Sequence, residues 1–272
     1  MNTTFDPANV TVLVAVGGRA TRALYVTADA IPKHLIVLDN GPTILEVVCR
    51  QLQLVGFRRF VFCTGYHHAQ ISSFVRSERW ISHDQVHYEI SSETEPAGLE
   101  GAFLAGINKL GITGQAMFIV GDAFIPWNEL VNMNEEHARR QTPITWGLTS
   151  HITERTADPG KVIVDPTDGR RVVRNYYGRA EDPVVGKREL ALTSAGVWVV
   201  SPDAYREMCR EYKASRGMDN EQPIGPQDSV ILWAASPGRH DVYGYDLRGE
   251  VLDLGERNIR YGQMYWRQYV SG

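Results

Sequence analysis

The stretch VTVLVAV, residues 10–16, is an unbroken apolar run rich in β-branched residues, and it stops on the pair Gly17-Gly18. As a strand, such a run has no polar face to offer water. It belongs in the interior of a parallel sheet covered by helices on both sides. The same kind of segment returns as RRFVFCTG at 58–65, VHYEI at 86–90, QAMFIVGD at 115–122 and PITWGLTS at 143–150, with LIVL at 35–38 as a shorter strand. Between them lie helical patterns. One starts at Gly41-Pro42-Thr43 and sets Ile44, Val47, Val48, Leu52 and Val55 near one face; HHAQISSFVRS and GLEGAFLAGINKL (98–110) follow. Strand and helix in alternation predict an α/β fold, Rossmann-like, with a mixed, mostly parallel sheet flanked by helices. Ligands of such sheets sit beyond the carboxyl ends of the strands, where Gly17-Gly18 and Gly121-Asp122 both fall.

The rhythm changes after residue 150. KVIVDPTDGRRVVRNYY reads as a hairpin turning at Pro166-Thr167-Asp168-Gly169, SAGVWVVS (194–201) as a strand, and Pro202 opens a helix. DSVILWAAS (228–236) reads as a short helix, DVYGYDLRGEVLDLG (241–255) as two strands, and an amphipathic segment runs on from Glu256. No repeat or linker interrupts the chain, so one domain over 1–272 is expected, its second half forming a smaller lobe.

A net charge of −4 and a pI near 6.1 supply no general field for nucleic acid. Cys49, Cys63 and Cys209 are too far apart in sequence for a metal or disulfide framework, which suits a reducing compartment. No apolar run nears the roughly 20 residues that span a bilayer. The opening MNTTFDPAN lacks the basic-then-apolar order of a signal peptide. A cytoplasmic enzyme without membrane or nucleic-acid partners is the expectation.

The long loop AVGGRATRALYVTADAIPKHL (15–35) is neither of the two familiar phosphate loops. It lacks the Gly-Lys-Ser/Thr ending of a P-loop, and its adjacent glycines do not open directly into a helix as a dinucleotide turn requires. What it offers is backbone amides at Gly17 and Gly18, cations at Arg19, Arg22 and Lys33, and a hydroxyl at Thr21. Paired glycines let amides approach phosphate oxygens, and arginine can fork two of them. A solvated loop with incidental charges is the plain alternative at this point.

Here the chain resembles the sugar-1-phosphate nucleotidyltransferases. VGGRATRALYVT (16–27) and IPKHL (31–35) are similar to that family's A/G-G-G-x-G-T-R-L-x-P-L-T loop and its P-K-P-L segment. GPTILE (41–46) resembles G-x-P-I-L-E, EPAGLEGA (95–102) resembles E-P-L-G-T-A-G-A, and VGD (120–122) resembles N-G-D. SAGVWVVSPD (194–203) and VLDLGE (251–256) resemble the N-A-G-I-Y-V-F-S-P and W-x-D-I-G-T-P elements. The resemblance implies a GT-A-like fold with a nucleotide-binding half over about 10–150, a sugar-phosphate half over about 151–258, and a C-terminal helix over 259–272. It implies transfer of a nucleoside monophosphate from a nucleoside triphosphate to a sugar 1-phosphate, with release of pyrophosphate. Arg22 and Lys33 would be the catalytic cations. Gly17, Gly18, Arg19, Thr21, Glu95 and Gly98 would surround the nucleotide, and Asp122 and Asp253 would hold Mg2+. Arg174, Arg179, Ser194 and Gly196 would face the acceptor. Members are often dimers or tetramers, so a homo-oligomer is compatible with the resemblance.

The chain departs from the pattern at Ala20, at His34 in place of proline, at Ser194 in place of asparagine, and in lacking the sugar-side E-K-P motif. Those changes fall mainly on the acceptor side and point to an unusual acceptor: an amino or deoxy sugar, a heptose, or a cyclitol phosphate. The segment EISSETEPAG leans toward a guanylyl-type base pocket. Two rivals remain open: a silent homologue that binds nucleotide-sugar, and a glycosyltransferase of related sheet. His67 and His68 read as packing or solvated histidines rather than metal ligands.

Overall fold

The computed structural model describes residues 5–19, 27–39, 41–93, 97–150, 161–168, 171–175, 186–220, 222–225, 229–236, 239–240 and 242–254. Strand β1 (Thr11–Ala15) lies between β2 (Arg59–Thr64) and β4 (Ala116–Val120), parallel to both, and β2 pairs in parallel with β3 (His87–Ser92). Val12, Leu13 and Val14 are fully buried, as a strand with both faces covered must be. Each contributes about 1.5–3 kcal/mol of burial.

The sheet continues through β9 (Leu190–Val200), β6 (Ile144–Thr149), β10 (Val242–Asp246), β8 (Arg171–Asn175) and β7 (Val162–Asp165). Its order is β3-β2-β1-β4-β9-β6-β10-β8-β7, with β7 also pairing β9. Strands β1, β2, β3, β4, β6, β7 and β10 run one way, and only β8 and β9 run against them. The sheet is therefore mixed and mostly parallel, as the sequence predicts.

Alternation along the strands divides the core in two. Val12, Val14, Phe60, Phe62, Met117 and Ile119 face the layer formed by α1 (Ile44–Leu54), α2 (His68–Arg76) and α4 (Trp127–Arg140). Leu13, Val61, Cys63 and Phe118 face α3 (Gly98–Lys109), α5 (Pro202–Ser215) and α6 (Val230–Ala234). Helix α1 starts on a capping box in which Thr43 and Glu46 satisfy each other's backbone N–H, and this is why Gly41-Pro42-Thr43 reads as a start. A two-stranded sheet pairs β5 (Ala123–Phe124) with β11 (Leu252–Asp253).

Two sequence readings change. LIVL is not a strand: Lys33–Leu35 form a single 3-10 turn, and Val37 makes only an isolated bridge with Thr43. The backbone there is committed to a turn, with Leu38 N–H donating to Pro42 O at 2.9 Å and Gly41 N–H donating to Leu38 O at 2.7 Å. Helix α4, absent from the sequence patterns above, runs from Trp127 to Arg140 and buries Trp127, Leu130, Met133, Asn134 and His137 along one face. Among the described residues, no helix is long and apolar enough to cross a membrane. The C-terminal helix expected at 259–272 lies outside the described residues.

Candidate functional site

The carboxyl ends of β1, β2, β3 and β4 converge, and the site is built there. Beyond β1, Val16 N–H still bonds Cys63 O at 3.0 Å, and the chain then meets the end of β2 backbone to backbone. A Cβ on Gly17 would lie 2.6 Å from Gly65 N, and Gly17 O accepts from Tyr66 N at 2.9 Å. Gly17 is thus required by packing. Gly18 is exposed, and a Cβ built on it meets nothing within 4 Å among the described residues, so its backbone is open on that side.

Arg19 donates to Asp29 Oδ2 at 3.3 Å and lies 5.2 Å over the ring of Tyr66. Tyr66 donates its hydroxyl to the same carboxylate oxygen at 2.9 Å. That bond, with the Arg19 guanidinium behind it, holds the Asp29 carboxyl below its ordinary range. Asp29 and Ala28 both take left-handed φ values, 58° and 49°. Backbone in that region is costly for residues other than glycine and persists only where the surroundings demand it. Thr21 and Arg22 lie outside the described residues.

Lys33 begins the 3-10 turn after Pro32, whose φ of −65° fixes the entry. Its ammonium pairs with Asp122 Oδ2, both side chains being largely buried. Gly121 makes this approach possible: a Cβ there would sit 2.8 Å from Val16 Cγ1 and 2.9 Å from Ala15 O. His34 packs behind the pair, fully buried, and burial drives its pKa down to about 4, so it is neutral. Asp122 does not cap α4, since Pro126 holds that position.

Strand β11 brings the second acid. Asp253 is in register with Ala123, and Leu254 N–H donates to Asp122 O at 3.0 Å, so the two acids stand on adjoining strand ends. Among the described residues no group of three or more His, Cys, Asp or Glu gathers as a metal cage. Two carboxylates at neighbouring strand ends would suit a hard cation that keeps phosphate and water ligands, such as Mg2+.

At the end of β3 the structure shows an acid that the sequence reading passed over. Glu93 N–H donates to Thr64 O at 3.0 Å, and its Oε2 accepts from Ala97 N at 3.1 Å. The position that a Cβ on Gly65 would take lies 3.6 Å from that oxygen. Burial raises the Glu93 carboxyl above its ordinary range. Gly98, at φ +70°, then turns the chain into α3, a conformation natural to glycine. Glu95 lies outside the described residues. The sequence signal for Glu93 was its place directly after the β3 run.

On the far side, the reversed strand β9 carries Ser194 and Gly196 to the same end of the sheet. Gly196 has φ +74°, and a Cβ on it would lie 2.5 Å from Val120 Cγ2. Only glycine lets β9 pass the end of β4 there. Ser194 Oγ accepts from Trp146 Nε1 at 2.9 Å and from Gly196 N at 3.3 Å. Arg174 pairs with Ile163 in the β7–β8 ladder. Arg179 lies outside the described residues.

The site thus assembles Gly17, Gly18, Arg19, Lys33, Glu93, Gly98, Asp122, Asp253, Ser194 and Gly196 around one end of the sheet. Comparison with known proteins agrees with this architecture. The family profile of the nucleotidyl transferases matches residues 11–176. HddC from Yersinia pseudotuberculosis, solved in complex with GMP-PN, superposes with a TM-score of 0.67 at 15% identity, covering 95% of this chain and 99% of that one. The inositol-1-phosphate CTP transferase from T. maritima superposes with a TM-score of 0.69 at 17% identity, covering 98% and 99%. No curated protein matches the sequence significantly.

Proposed function

Since the chain belongs to the nucleotidyl transferase family, we propose that it moves a nucleoside monophosphate from a nucleoside triphosphate onto a sugar 1-phosphate or a related phosphorylated acceptor. The products are a nucleotide-sugar and pyrophosphate. The observation that carries this reading is the Lys33–Asp122 pair, set beside the open backbone of Gly18 at the carboxyl ends of β1 and β4. The first half of the chain takes the nucleotide and the second half takes the acceptor.

An acceptor phosphate oxygen attacks the α-phosphorus in line with the leaving pyrophosphate, so no enzyme nucleophile is needed. Catalysis then rests on bringing two anions together and on stabilising the charge of the leaving group. Lys33, a point charge on a flexible stem, serves both anions, with Asp122 holding it in place before they arrive. By the resemblance, Arg22 would meet the leaving phosphates, with Arg19 and Thr21 on the same loop of the sequence. Asp122 and Asp253 would hold Mg2+, which supplies charge neutralisation at the phosphates.

The base pocket leans to guanine. A carboxylate matches the paired N1–H and N2–H donors of the guanine edge, and Glu93, half-buried beside Gly65 and the N–H of Ala97, stands close to Gly98 in sequence and could read that edge. HddC, solved with GMP-PN, is consistent with that lean. On the acceptor side, Ser194 Oγ accepts two hydrogen bonds, which leaves its proton to donate outward to an acceptor oxygen. With the altered sugar-side motif, this favours a heptose, an amino or deoxy sugar, or a cyclitol phosphate. Pyrophosphate release measured across nucleoside triphosphates and these acceptors tests the reading, with GTP expected to lead. Equal rates with all four bases would remove the guanine assignment.

A further inference from the structure

Glu100 stands apart from Asp122 and Asp253, and it is buried. It is the third residue of α3, whose first turn begins at Gly98. In the resembled E-P-L-G-T-A-G-A element this position is alanine, so the motif does not require a carboxylate. Glu100 Oε1 is hydrogen-bonded by the hydroxyl of Ser229. Its Oε2 accepts from Ile231 N at 2.9 Å and from the hydroxyl of Tyr205 at 3.4 Å. The next residue reinforces the contact, since a Cβ on Gly101 would lie 2.7 Å from Ile224 O. Glu100 is thus held by the residues that start α6, while Gly101 packs against the backbone of Ile224. From α6 the chain runs through β10 to β11, which carries Asp253.

A buried carboxylate without a cation is expensive to keep, and among the described residues no basic side chain pairs with Glu100. The groups facing it are Ser229, Val230 and Ile231 at the start of α6, and Tyr205 and Cys209 on α5. Lys213, one turn beyond Cys209, is engaged with Asn220 O at 2.6 Å. We propose that Glu100 is a positioning residue for the nucleotide. Its carboxylate ties the first turn of α3, and with it the base-side loop at Gly98, to the start of α6. The proposal rests on the reading above that this loop receives the base.

Ionisation matters to such an anchor. As a carboxylate, Glu100 accepts from every donor around it. Once protonated, it must place its own proton on one of them, and Ser229 Oγ already accepts from Leu232 N at 3.2 Å. Burial raises the Glu100 pKa to about 7. Tyr205 is raised well above its usual range and the Cys209 thiol is pushed up to about 12, so neither titrates near neutrality. The anchor is therefore complete above pH 7 and weakened below it.

The test is calorimetric binding of ATP, CTP, GTP and UTP with Mg2+ between pH 6 and 8.5, on wild type, Glu100→Gln and Ser229→Ala. Glu100→Gln should bind the preferred triphosphate about tenfold more weakly at pH 8 and lose the neutral-range step in affinity. Ser229→Ala, a milder change that removes one donor, should keep the step and move its midpoint to higher pH. Titration of the triphosphate itself is common to all three proteins and cancels in the comparison. Variants that fold and bind with the wild-type affinity and pH profile would overturn the positioning role. Failure of wild type to bind any of the four would overturn the nucleotide reading itself, and this proposal with it.

Discussion

The ammonium of Lys33 rests on the carboxylate of Asp122, with the two side chains only 12% and 17% exposed. One comes from the turn after β1 and the other from the end of β4, and Gly121 lets them meet. Ion pairs this sheltered are costly to break, because the survivor is left as an unpaired charge. In the proposed reaction, Lys33 exchanges this partner for substrate phosphate. Lys33→Met should lower kcat/KM by about two orders of magnitude, equivalent to ~3 kcal/mol of transition-state stabilisation. Steady-state pyrophosphate release checks this, and a loss under fivefold would remove Lys33 from the chemistry.

Asp122→Asn keeps the shape of the side chain and removes its charge. Turnover should fall at least a hundredfold at any Mg2+ concentration, while Asp253→Asn should be partly rescued by excess Mg2+, since one carboxylate remains. Near-normal activity in Asp122→Asn would end the metal assignment.

Gly17 and Gly18 look alike in sequence and differ in three dimensions. Gly17→Ala forces a methyl onto the Gly65 backbone and should cost about 1–3 kcal/mol of stability. Gly18→Ala meets no atom of the described residues, so its melting temperature should match wild type while KM for the triphosphate rises. Thermal unfolding and kinetics on the two variants separate the roles. A destabilised Gly18→Ala would contradict the open backbone.

Acid should destabilise the fold through two buried histidines. Burial lowers both His34 and His137 to about 4, from 6.5. Each binds its proton less readily when folded than when unfolded, so its stabilisation is complete above pH 6.5 and drains away as pH falls toward 4. The limit is about 3 kcal/mol per group. His137 lies far from the site, bonded to Thr145 Oγ1 at 2.9 Å. Denaturant unfolding at pH 7.5 and 4.5 should show a smaller loss in His137→Gln than in wild type. Equal losses would show that His137 does not carry the effect.

The parts of this molecule legible in the sequence are those decided by local pattern. The apolar run of β1, the capping box at Thr43 and Glu46, and the strand ends at Gly17 and Asp122 all follow from neighbouring residues. LIVL misleads because Ile36 and Leu38 are buried and Val37 is exposed, an alternation that a turn under the core produces as readily as a strand does. Glu93 and Glu100 were hidden for a different reason. Each looks like an ordinary acid, and its importance comes from partners distant in sequence: Gly65 for Glu93, and Ser229 and Ile231 for Glu100. The division of labour between Gly17 and Gly18 likewise depends on where β2 ends.

The central claim is that this site joins a nucleoside triphosphate to a phosphorylated acceptor. Its most direct test is pyrophosphate release by the purified chain with Mg2+, over a matrix of the four triphosphates and hexose, heptose, amino-sugar and cyclitol phosphates. The predicted result is release that requires both substrates together, strongest with GTP, with the nucleotide-sugar appearing in equal amount. No release from any pair, in a protein that still binds a triphosphate, would contradict the account and leave a nucleotide-binding homologue without turnover.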